Sequence, residues 1–61
     1  MRTVRMVQCT PHLWRIENMQ GKAIQEGITA HSVYEAEEFV KKFISSFRNW
    51  TYIIVKLGDQ Q

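Results

Sequence analysis

Only one segment of this chain carries a helical repeat, and that fact constrains the fold most. Ser32 followed by Glu35 reads as a capping box, the serine oxygen accepting from a free backbone N–H and the glutamate reaching back. From Val33 the apolar positions are Ala36, Phe39, Val40, Phe43, Ile44 and Phe47, the stripe of an amphipathic helix. Glu37 precedes Lys41 and Glu38 precedes Lys42 in the favourable i, i+4 order. Acidic residues fill the first turns and basic residues the later ones, which suits the helix dipole. Ser45, Ser46 and Asn49 weaken the helix near its end.

The rest of the chain reads as strands and turns. Thr3 to Cys9 mixes β-branched and apolar residues with Arg5 and Gln8. Thr10-Pro11-His12 interrupts it, because proline cannot donate to a ladder. Leu13 to Glu17 alternates, with Trp14 and Ile16 on one face and Arg15 and Glu17 on the other. Asn18 to Lys22 is a turn, with Gly21 able to take positive φ. Ala23 to Ile28 reads as a weaker strand, and Trp50 to Leu57 as a strong one. Gly58 onward reads as a frayed tail.

The expected fold class is therefore α+β. The order is β-β-β-α-β, or β-β-α-β if an early strand is irregular. We expect one mainly antiparallel sheet of three or four strands, with the amphipathic helix packed on one face. The short link after the helix sets the last strand antiparallel to it, pairing with the first strand or an edge. The 61 residues make one domain with one small core. Met1 and the lack of a tag suggest a complete small product.

A sheet with one helix has one face left open, and only one alternating set per strand fits under the helix. In the last strand Thr51, Ile53, Val55 and Leu57 form one set, and Trp50, Tyr52, Ile54 and Lys56 the other. Both sets are largely apolar. We expect Ile53, Val55 and Leu57 inward, since the other set contains Lys56. Trp14, Trp50, Tyr52 and Ile54, rimmed by Arg5, Arg15 and Lys56, then become an exposed contact surface. Such patches mark interfaces, and Trp and Tyr dominate binding hot spots.

Charge is uneven along the chain. Arg2, Arg5, Arg15 and Lys22 against Glu17 give the first 22 residues +3. Glu26, Glu35, Glu37 and Glu38 give the middle segment −4. Lys41, Lys42, Arg48 and Lys56 against Asp59 give the remainder +3. The net +2 is below what a dedicated nucleic-acid binder carries. Residues 1–16 hold no signal-peptide core, and no stretch approaches the roughly 18 apolar residues of a membrane span. The single Cys9 rules out an internal disulfide and fits a reducing cytoplasm. Asn49-Trp50-Thr51 matches a glycosylation sequon, which we read as coincidental without an export route.

The chain carries little that chemistry needs. Cys9 and His12, with His31 as a third, fall short of the four ligands of a closed zinc site. As a nucleophile and base they lack an orienting residue and an oxyanion feature. Glu35, Glu37 and Glu38 are explained as a solvated helix start. Gly21, Gly27 and Gly58 are isolated, so no phosphate loop is present. No enzymatic activity, metal, cofactor or small-molecule substrate is expected.

The expected function is that of a small non-enzymatic regulator or inhibitor that binds another protein. The size and layout are similar to those of small phage- or mobile-element-encoded proteins that bind host machinery. Two alternatives use the same face. Arginines interleaved with aromatics on a sheet could stack single-stranded nucleic acid. A homodimer could bury the patch against itself.

Overall fold

A computed structural model describes residues 2–59. The elements run β1 (Arg2–Thr10), β2 (Leu13–Asn18), β3 (Ala23–Thr29), α1 (Val33–Ile44) and β4 (Trp50–Val55), followed by a 3-10 turn over Leu57–Asp59. The architecture is the expected α+β fold, a four-stranded sheet with one helix. The strand order is β3-β2-β1-β4.

Two of the three ladders are antiparallel, β1 with β2 and β2 with β3. The third, β1 with β4, is parallel, so the sheet is mixed. Connectivity explains this. Two successive antiparallel pairings set β3 parallel to β1, and a parallel return to β4 requires a crossover. The helix is that crossover. β4 does pair with the first strand, and it also forms one edge.

The β2–β3 turn is held by Asn18. Its Oδ1 accepts from the backbone N–H groups of Gln20 and Lys22, both at 2.9 Å. Gly21 sits there at φ 89°, a conformation side chains with a Cβ seldom adopt.

The helix starts where the capping box sets it. Ser32 Oγ accepts from Glu35 N–H at 3.1 Å. The Glu35 carboxylate accepts from the N–H of His31, one residue before the cap, at 2.8 Å. The helix stops at Ile44, short of Phe47. Ser45 caps the end, its N–H donating to the carbonyl of Lys41, and Asn49 turns the chain at φ 58°. Phe47 therefore lies beyond the helix and stacks on Trp50, with ring centroids 4.1 Å apart.

The core lies between helix and sheet. Val4 and Met6 of β1, Trp14 and Ile16 of β2, Ile28, Ala30, and Ala36 and Val40 of the helix are buried together. Phe43, Ile44, Trp50, Tyr52 and Ile54 pack against them, half-buried. The expected stripe narrows, since Val33 and Phe39 lie at its exposed margin.

This overturns the expected orientation of the last strand. Trp50, Tyr52 and Ile54 are on the helix side, and Ile53 and Leu57 are exposed. Lys56 misled the assignment because it lies past the strand end, where alternation no longer applies. Gly58 and Asp59, assigned to the tail, are part of a 3-10 turn over Leu57–Asp59. The Leu57 N–H donates to Gln8 Oε1 at 2.9 Å. Gln60 and Gln61, also assigned to the tail, lie outside the described residues.

Candidate functional site

The sheet face away from the helix has no layer above it among the described residues. Register places its side chains. Thr3, Arg5 and Val7 of β1 stand opposite Thr51, Ile53 and Val55 of β4. On the other side, Arg5 stands opposite Glu17 and Val7 opposite Arg15. The face is thus an aliphatic strip beside a charged group.

Glu17 organises that group. It is 4% exposed although its face is uncovered, because two arginines close over it. Arg5 donates through Nη2 to Oε1, and Arg15 through Nε to Oε2 at 2.9 Å. The arginine side chains keep 30% and 41% of their surface in solvent. One carboxylate between two guanidiniums leaves a surplus positive charge. It faces outward, beside Val7 and Val55. A buried carboxylate requires such partners, since an unpaired one is costly.

The sequence reading put seven residues on one open surface, and the structure separates them. Arg5 and Arg15 lie on the uncovered face. Lys56 is exposed just past the end of β4. Trp14 is fully buried under the helix, and its indole N–H finds no acceptor among the described residues. Trp50, Tyr52 and Ile54 are half-buried on that same helix side. The expected open aromatic face is therefore corrected: these four side chains supply the core or its margin. A helix narrow at Ala36 and Val40 leaves a gap that large aromatics fill.

Two of these aromatics have defined partners. The Tyr52 hydroxyl donates to Glu37 Oε2 at 2.8 Å. That hydrogen bond, with desolvation and the negative charge of Glu37, raises the phenol above its ordinary pKa of 10.0. Arg2 lies over the Trp50 ring, 5.3 Å from its centroid, while Phe47 stacks on that ring.

Sequence reasoning missed Glu17 as the centre of the triad. The signal was present: Arg15 and Glu17 share a face by alternation, and the β1–β2 hairpin brings Arg5 across. It also missed the exposed aliphatic pair Ile53 and Leu57, which it assigned to the core.

Other surface features are modest. A cleft of about 500 Å³ lies at the β2–β3 turn, with Arg2 and Lys22 among its lining residues. A groove of about 300 Å³ is lined by Tyr34, Phe39 and neighbouring helix residues with Thr29. His12 and His31 meet edge to face, with centroids 5.3 Å apart. Among the described residues no three His, Cys, Asp or Glu side chains group as metal ligands. No described helix is long and apolar enough to cross a membrane.

The fold and this face together define a small α+β domain with one covered and one uncovered sheet surface. No protein-family model, curated protein or solved structure matches the chain.

Proposed function

We propose that this chain is a small non-enzymatic binding protein, a regulator or inhibitor, whose uncovered sheet face contacts another protein. The observation that carries the reading is the Arg5–Glu17–Arg15 triad set beside exposed aliphatic side chains. Ile53 keeps 42% of its surface in solvent, and Val55, two residues on along the same face of β4, is half-buried. Aliphatic side chains supply area to bury, and the surplus charge steers an approaching surface. The chemistry fits a partner that presents apolar side chains next to a carboxylate.

Single-strand nucleic-acid binding has less support than the bare sequence suggests. Its stacking platform needs aromatics beside the arginines, and Trp14, Trp50 and Tyr52 lie on the other side of the sheet.

Immobilised protein tests the reading by capture from a native lysate, with and without nuclease. The expected result is a protein retained by wild type, insensitive to nuclease, and lost from both Ile53→Asp and Arg15→Ala. Circular dichroism should show that both variants remain folded. Capture that survives both substitutions overturns the assignment of this face. Capture abolished by nuclease points to nucleic acid instead.

A further inference from the structure

The two edges of the sheet are built differently. β3 is irregular, with register shifts against β2 on both sides of Ile16 and with Gly27 at φ 72°. It also carries Glu26. Bulges and charge are how proteins keep an edge strand from pairing with another chain. β4 has none of these devices. Its six residues, Trp50–Val55, include no charge, proline or glycine. Its register with β1 runs unbroken from Arg2↔Trp50 to Val7↔Val55. Among the described residues no strand lies beyond it.

We propose that β4 pairs edge to edge, antiparallel, with β4 of a second copy, making one continuous eight-stranded sheet across a two-fold axis. A two-fold contact matches one strand against itself and closes, so it needs no second complementary surface. Electrostatics favour a second copy at this edge. The six residues of β4 bring no charges together, and Arg48 and Lys56 lie beyond its two ends. The helix beside the edge, tied to it by Tyr52 and Glu37, carries Glu35, Glu37 and Glu38 against Lys41 and Lys42, a net charge of only −1. Stacking two copies through the uncovered face would instead oppose two triads of surplus positive charge. The edge is distinct from that face, so the inference does not depend on the partner reading.

Two measurements on the intact chain test it. Sedimentation from micromolar to millimolar concentration reports the association state. Amide hydrogen exchange of β4 reports its geometry, since alternate N–H groups of an edge strand point away from the sheet. We expect a reversible dimer in which those outward amides gain protection as concentration rises. Thr51→Lys, which charges the edge at a half-exposed position, should weaken the dimer at least about tenfold. A monomer throughout the range overturns the proposal. So does a dimer whose outward β4 amides stay unprotected, because that dimer uses another surface. If Thr51→Lys fails to fold, exchange on the wild-type chain still decides the matter.

Discussion

The Tyr52 hydroxyl on β4 donates to the Glu37 carboxylate on the helix at 2.8 Å. This contact joins the crossover helix to an edge strand, at the margin of the core. It identifies the face of β4 that lies under the helix, and so which aliphatic side chains are left outside.

The hydrogen bond makes stability depend on alkaline pH. Glu37 holds the Tyr52 proton and raises the folded-state pKa above 10.0. A raised pKa contributes stability fully below the unfolded value and loses it as pH climbs through the folded one. Tyr52→Phe should therefore melt below wild type at neutral pH, with the difference shrinking above pH 10.0. Lys41, raised by Glu38, loses stability in the same direction. Lys41 is common to both proteins and largely cancels in the comparison. A gap in melting temperature that stays constant into alkali would contradict the coupling.

Trp14 is core. Trp14→Ala should cost about 3–5 kcal/mol, the range for emptying a large buried aromatic site. In a domain of this size the cooperative thermal transition should be lost or nearly so. Trp14→Phe should cost clearly less, since it keeps most of the bulk and removes the unpartnered indole N–H. Calorimetry on the two variants checks the order. Equal melting of Trp14→Ala and wild type would return Trp14 to the surface.

Glu17→Gln keeps the shape and removes the charge that holds two arginines. The expected loss is about 1–3 kcal/mol, reduced from fully buried values because both guanidiniums reach solvent. Added salt should restore part of it by screening the two cations left facing each other. Arg15→Ala should cost less than Glu17→Gln, since Arg5 still pairs the carboxylate. Denaturant titration at low and high salt tests both statements. A neutral Glu17→Gln would mean that the triad holds nothing together.

Ser32→Ala removes the helix N-cap acceptor. The expected loss is about 1 kcal/mol, and Ser32→Gly should lose only a few tenths. In a 60–100-residue domain 1 kcal/mol corresponds to about 4–8 °C in Tm. Thermal scans of both variants against wild type measure the two losses, and a Ser32→Ala variant that melts with wild type would mean that the Ser32 oxygen does not hold the helix start.

The local elements were legible in the sequence for local reasons. Capping chemistry at Ser32 and Glu35 marks the helix start. Alternation from Leu13 to Glu17 marks β2 and separates Trp14 from Arg15. Pro11 and Gly21 mark the turns. From these the α+β class follows, because one amphipathic helix and several short strands can bury their apolar faces only against each other.

Only the tertiary structure decided which face of β4 the helix covers. Trp50 through Val55 is largely apolar on both alternating sets, so periodicity could not choose, and Lys56 lies beyond the strand. The choice depends on volume: a helix presenting Ala36 and Val40 leaves space that Trp14, Tyr52 and Ile54 fill. The parallel β1–β4 ladder was hidden for a related reason, since it results from where the crossover helix ends. The Arg5–Glu17–Arg15 triad needed a strand pairing before its charges could meet. Sequence determined the pieces and their amphipathic patterns. Packing determined which surface was left for other molecules.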